Sequence, residues 1–312
     1  MNGKKIVVLG TGGTIAGTAP AAQDNIGYTA GQLGLAQLLE PIASLDKHRL
    51  VIEEVARIDS KDMGFDTWTC LALRCAHWLA QDDVAGIVIA HGTDTLEETA
   101  FFLQAVLAPA KPIVITCAMR PATALAPDGP QNLVDAVAVA VAPGACGVVA
   151  VCAGTVHGAF DVTKQHTYRL DAFSSGDAGP VGYVEEGCIR LSRSWPQAGT
   201  GSIGMVEILA GARQWPRVEI VMSHAGATGR LVEALRAQGI DGFVVAATGN
   251  GTVHREIEAA LLEAQAAGVR VVRASRCPQG RILERPGDAL RAVALSPVKA
   301  RIALMLELFE AC

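Results

Sequence analysis

The sequence predicts an α/β protein of two domains, each built on a mostly parallel sheet, the second domain smaller. Three observations lead there. Short apolar β-branched runs alternate with longer stretches of helical period, as strands do when each feeds a covering helix. The alternation lapses after about residue 190 and restarts near 217. The length of 312 residues suits about two domains of roughly 150 residues.

The first block opens on a strand at Lys5–Leu9 and continues with strands at Leu50–Ile58, Gly86–His91, Pro112–Cys117 and Gly147–Cys152. Helices are expected near 31–40, 66–80, 95–107 and 130–141. Segment 66–80 shows the period, with Trp68, Leu71, Ala72, Cys75, Trp78 and Leu79 lining one face. Ala136 to Val156 carries no charge over 21 residues, long enough to span a bilayer. Pro143-Gly144 interrupts that run, so a buried helix end, a turn and a buried strand are expected instead. Arg193 to Trp215, broken by proline and glycine, reads as a linker. The expected division is therefore 1–190, a linker at 191–216, and 217–312. The second block places strands at Val218–Ser223, Phe243–Ala247 and Val269–Ala274, with helices near 228–238, 254–266 and 297–310. Gly239 and Gly268 follow two of those helices, where a left-handed residue closes the last turn.

Composition narrows the partners. Lys and Arg total 26 against 31 Asp and Glu, with no basic cluster, which argues against nucleic acid and anionic membranes. The cysteines are scattered without a CxxC pair and are expected as free thiols; the histidines form no HExxH, so neither a metal nor another cofactor is expected. Met1 to Lys5 runs straight into the first strand without a secretory apolar region, which points to the cytoplasm.

In open parallel sheets the ligand sits beyond the carboxyl ends of the strands, so the loops there carry the information. Gly10-Thr-Gly-Gly-Thr14 follows the first strand. It begins a GxGxxG-like pattern, but Ile15 stands where the third glycine is needed and no ribose-binding acid follows. Thr14 is either a nucleophile needing a base or strong local activation, or a helix cap. Asp59-Ser60-Lys61-Asp62 alone is a polar turn. In His91-Gly-Thr93-Asp94-Thr95, Thr93 and Asp94 cannot both cap the following helix, so at least one is free, while Glu97 and Glu98 complement its dipole. His91 is expected as a hydrogen-bonded structural residue. Lys164 in Asp161-Val-Thr-Lys164 matters chemically only if it points into the cleft.

Two of these loops, Thr11-Gly-Gly-Thr14-Ile-Ala and His91-Gly-Thr-Asp-Thr95-Leu-Glu-Glu-Thr-Ala100, resemble the two signatures of bacterial-type L-asparaginases. Cys117-Ala-Met-Arg-Pro121, Asp128-Gly-Pro130 with Asn132-Leu133, Asp161-Val-Thr-Lys164 and Gly249-Asn-Gly251 fit the same family in the same order.

The resemblance implies hydrolysis of the side-chain amide of L-asparagine, with L-glutamine as a further substrate in a glutaminase-asparaginase. It makes Thr14 the nucleophile, Tyr28 the residue closing over the substrate, and Thr93, Lys164 and Asp94 a hydrogen-bonded group. It assigns Ser60 to the substrate's α-carboxylate, Asp94 to its α-ammonium, and the carbonyl of Ala118 to the leaving amide. Asn250 would reach the site of a neighbouring subunit in a homodimer or homotetramer. Lys61 stands where many members carry glutamine, Phe160 where an arginine is frequent, and Glu284 is the candidate acid for the neighbouring site. The rival readings are an inactive amino-acid-binding protein on this scaffold, a tRNA-dependent amidotransferase subunit, and a nucleotide-binding oxidoreductase.

Overall fold

The computed structural model describes residues 3–197 and 203–311. Two compact units emerge, Met1–Gly211 and Ala212–Cys312.

The first unit carries five parallel strands: β1 (Lys5–Gly12), β2 (Leu50–Ile58), β3 (Val84–Ala90), β4 (Ile113–Thr116) and β5 (Val148–Cys152). Between them run α1 (Leu35–Leu39), α2 (Phe65–Leu79), α3 (Leu96–Leu107) and α4 (Gly129–Ala140). β6 (Thr155–Gly158) turns back antiparallel on β5. The short pair β7 (Thr163–Lys164) and β8 (Phe173–Ser174) follows, then the hairpin β9 (Gly182–Glu185) and β10 (Cys188–Leu191). The large sheet runs β10-β9-β6-β5-β4-β3-β1-β2. Its central strands bury both faces; Ile6, Val8, Val88, Val114 and Val149 pack with Leu133, Ala136, Val137 and Ala140 of α4. That is why these strands read as continuous apolar runs rather than alternating ones.

The second unit is a smaller parallel sheet, β11 (Val218–Met222), β12 (Gly242–Ala247), β13 (Arg270–Ser275) and β14 (Arg291–Ala292), in that order. α6 (Arg230–Ala237), α7 (Arg255–Ala266) and α8 (Pro297–Glu310) complete it. Phe243, Val245, Ile257 and Leu261 belong to its core.

Two departures from expectation have physical reasons. The antiparallel strands between 155 and 191 hang on two-residue turns, Ala153-Gly154 and Glu186-Gly187, with φ positive at both residues of each. Such turns normally announce themselves with Asn-Gly or Asp-Gly; alanine and glutamate in the first position hide them. The expected linker at 191–216 contains α5 (Ile203–Gly211), which packs on α2 and α3. It is almost wholly apolar, so it shows no helical period to read. The uncharged Ala136–Val156 run is the end of α4, a turn, β5 and the start of β6. Among the described residues no helix is long and apolar enough to cross a membrane, and no group of His, Cys, Asp or Glu is placed to hold a metal ion.

Candidate active site

The loops after β1, β2 and β3 meet through glycines. Gly12 (φ +94°) lies so close to β2 that a Cβ would fall 2.5 Å from Ile58 O, and one on Gly13 (φ +82°) would fall 2.3 Å from Gly92 Cα. A Cβ on Gly92 would in turn meet Ser60 Oγ at 2.4 Å. Only residues without side chains allow this approach, and it gathers Thr14, Ser60 and Thr93 at one end of the sheet.

Thr14 is buried and opens a short 3-10 turn, Thr14–Ala16. Its Oγ1 lies 2.6 Å from the Tyr28 hydroxyl. Tyr28 reaches it from a loop folded back through the Thr18–Thr29 bridge, against Gly17, whose added Cβ would stand 2.8 Å from Tyr28 Cδ2.

On the facing loop, Thr95 is the N-cap of α3, so neither Thr93 nor Asp94 serves there. Lys164 Nζ donates to Thr93 Oγ1 at 2.7 Å and to Asp94 Oδ1 at 2.6 Å. The lysine side chain is mostly buried and the aspartate half exposed. β7 delivers Lys164, whose backbone N–H donates to Glu97 Oε2 at 3.3 Å. An ion pair between Arg193 and Asp161 holds the turn just before it. Phe160 does not displace the lysine; it is half exposed and packs edge-on against Phe101, with ring centroids 5.4 Å apart.

Ser60 Oγ accepts the Asp94 N–H at 3.1 Å, which leaves its own proton to donate. The Gly13 N–H is committed to Ile58 O at 2.8 Å, so it is no longer available to a developing oxyanion. The Thr14 and Thr93 N–H groups make no hydrogen bond among the described residues. Ala118 follows β4, is buried, and its carbonyl accepts no hydrogen bond among those residues. Lys61 bonds to Asp59 with Asp62 nearby, which raises its pKa and neutralises the charge it brings beside Ser60.

Sequence reading missed one supporting chain. Trp68 Nε1 donates to Thr99 Oγ1 at 2.9 Å, and Thr99 contacts His91 Nε2 at 3.0 Å, while His91 Nδ1 lies 2.7 Å from Gly92 O. An indole can only donate, and a carbonyl can only accept. The directions are thereby set: Thr99 O–H donates to Nε2, and Nδ1–H donates to Gly92 O. Burial holds the imidazole neutral, its pKa pushed down to about 4. His91 is thus a structural residue that fixes the carbonyl immediately before Thr93. Trp68 and Thr99 carried only helical-core signals in the sequence, so nothing local announced the chain.

Asn250 belongs to the second unit. Its amide donates to Leu283 O at 3.1 Å and accepts the Leu283 N–H at 2.8 Å. Glu284 Oε1 accepts the Ala292 N–H at 2.9 Å. Both expected contributors to a neighbouring site therefore hold one loop of their own unit.

Comparison with known proteins places this arrangement among enzymes that hydrolyse amino-acid amides. Residues 5–197 match the N-terminal asparaginase domain and residues 217–311 the glutaminase/asparaginase C-terminal domain. The chain belongs to the asparaginase family. It is 36% identical to L-asparaginase 2 of Escherichia coli, over 98% of this chain and 89% of that one. It is also 36% identical to the glutaminase-asparaginase of Pseudomonas fluorescens, over 97% of this chain and 86% of that one. The crystal structure of a probable cytoplasmic L-asparaginase from Campylobacter jejuni superimposes with a TM-score of 0.91 at 35% identity, covering 98% of this chain and 95% of that one.

Proposed function

We propose that the protein is an L-asparaginase, hydrolysing L-asparagine to L-aspartate and ammonia with Thr14 as nucleophile. The observation that carries this is the close pairing of Gly13 with Gly92, which sets the Thr14–Tyr28 pair and the Thr93–Lys164–Asp94 group side by side.

The chemistry follows from the contacts. Thr14 Oγ adds to the amide carbon, and its proton leaves through Tyr28, whose hydroxyl lies 2.6 Å from Thr14 Oγ1. The proton ends on the departing nitrogen, which is released as ammonia. Water then adds to the acyl carbon and gives up a proton through Thr93, Lys164 and Asp94; the bond to Thr14 Oγ breaks, and that oxygen regains a proton through Tyr28, which restores the free enzyme. The unengaged N–H groups of Thr14 and Thr93 are the donors for the oxyanion. Ser60 O–H donates to the substrate carboxylate. Asp94 Oδ1 faces Lys164, which leaves Oδ2 for the substrate ammonium. Ala118 O accepts from the amide nitrogen.

Thr14→Ala, Thr93→Val and Lys164→Met should each cut ammonia release by several orders of magnitude. Retention of more than about a tenth of the activity, under about 1.4 kcal/mol of transition-state loss, removes that residue from the mechanism. Aspartate binding by calorimetry with no turnover would make the protein an amino-acid binder instead.

A glutaminase-asparaginase is the second reading, favoured by the equal identity to the Pseudomonas enzyme. One methylene in a pocket is worth about 1–3 kcal/mol, so the ratio of kcat/KM for asparagine and glutamine decides. We further place the enzyme in the cytoplasm, as a homodimer or homotetramer in which the loop held by Asn250 borders a neighbouring subunit's site. Cell fractionation and light scattering test these two statements.

A further inference from the structure

The motif Asp128-Gly-Pro130 with Asn132 has no part in the scheme above, yet both polar side chains engage the loop after β4. Asp128 Oδ2 accepts the Met119 N–H at 3.0 Å, and Oδ1 accepts the Arg120 N–H at 3.0 Å. One turn along α4, Asn132 Nδ2 donates to Cys117 O at 2.9 Å and to Asp128 Oδ2 at 3.2 Å. Its Oδ1 accepts the Ala153 N–H from the β5–β6 turn at 3.0 Å. Asn132 is buried and every polar atom of its amide group has a partner.

The carbonyl before Ala118 and the two N–H groups after it are thus each bonded to side chains from the start of α4. Ala118 O itself has no hydrogen-bond partner among the described residues. A buried acceptor without a partner is unfavourable by about 1–3 kcal/mol, so the surrounding loop must be held firmly for it to persist. A firmly held open carbonyl suits a ligand that brings an N–H donor.

We infer that Asp128 and Asn132 are positioning residues that fix the Ala118 carbonyl as acceptor for the substrate's amide nitrogen, and so make the site select a carboxamide over an ester. The inference rests on the amidohydrolase reading. A carboxamide nitrogen donates to that carbonyl, whereas an ester oxygen meets it lone pair to lone pair.

The test measures kcat/KM for L-asparagine and for the β-methyl ester of L-aspartate, corrected for spontaneous hydrolysis, in the wild type, Asp128→Asn and Asn132→Ala. In Asp128→Asn an amide N–H faces a backbone N–H, which pushes the loop away. The asparagine value should fall roughly 30-fold and the ester value by under about 3-fold, as a small misplacement of a positioning group costs one to two orders of magnitude. Asn132→Ala should shift the ratio the same way. A partly folded sample lowers both values equally, so the ratio reports positioning whatever the yield. Equal losses on the two substrates, or none, overturn the clamp and leave the amidohydrolase reading standing. A wild type inert toward asparagine overturns that reading and the clamp with it.

Discussion

Gly13 and Gly92 pack backbone against backbone, with the space for a Cβ on Gly13 already filled by Gly92 Cα at 2.3 Å and Gly92 N at 2.4 Å. Each glycine immediately precedes a threonine of the proposed mechanism. Alanine at residue 13 must both hold φ near +82° and push the two loops apart. Gly13→Ala is therefore expected to destabilise by about 3 kcal/mol or more and to lose at least about 100-fold in kcat. Urea unfolding and an ammonia assay measure the two effects. An alanine variant of wild-type activity would mean the loops have slack, and that this contact does not set the distance between Thr14 and Thr93.

Tyr28→Phe removes the hydroxyl bonded to Thr14 Oγ1 while keeping the ring against Gly17. If the proton of Thr14 leaves by that route, kcat should drop about 100- to 10,000-fold, the usual worth of a general acid–base group. KM should change little, because the ring still covers the site. A rise in KM with kcat intact would reduce Tyr28 to a lid.

The fold was legible wherever the chain carries strong period. β2 and α8 fall where the apolar pattern puts them, because both are long and flanked by clear turn residues. The β5–β6 and β9–β10 hairpins were not, since Ala153 and Glu186 adopt positive φ without the usual turn chemistry. At the site, the residues alone left Thr14 and Lys164 open, and the resemblance to the asparaginase signatures singled out Thr14, Thr93 and Lys164. What spacing could not supply is which contacts close: the 2.7 Å bond from Lys164 to Thr93 joins residues 71 apart in the chain. The Trp68–Thr99–His91 chain was invisible for a related reason. Its first two members sit on helical faces whose pattern says core and nothing more.

Two buried histidines should make stability depend on pH. His91 is held near a pKa of about 4 by burial, and His157 near about 4 by burial and the charge of Arg193. In the unfolded chain both titrate near 6.5. Below that value the unfolded state takes up protons that the folded state refuses, so stability is full above pH 6.5 and falls as pH drops toward 4. Each histidine accounts for up to about 3 kcal/mol of that loss. Urea midpoints should decline between pH 7 and 4.5, and the decline should flatten in His91→Gln and again with His157→Gln, which remove the titration. An unchanged slope in both variants would assign the acid sensitivity to carboxylates.

Asn250 tests a different kind of role. Its amide copies a strand partner, giving one bond to and one from the backbone of Leu283, while Ile282 packs on Gly251 next door. Asn250→Ala removes both bonds and loosens the loop between Arg281 and Ala292, whose other ties include Glu284 to the Ala292 N–H, Asp288 to Arg273, Gln265 to Ala289 O and Arg291 to Glu307. These bonds are solvent-exposed, so the loss is about 1–2 kcal/mol and confined to the loop. Trypsin should then cut after exposed Arg281 roughly 10-fold faster, by the population of the opened loop. If the loop borders a neighbouring site, KM for asparagine should rise several-fold with the same substitution. Faster cleavage with unaltered kinetics would confine Asn250 to its own unit, and cleavage at the wild-type rate would show that the remaining ties suffice to hold the loop.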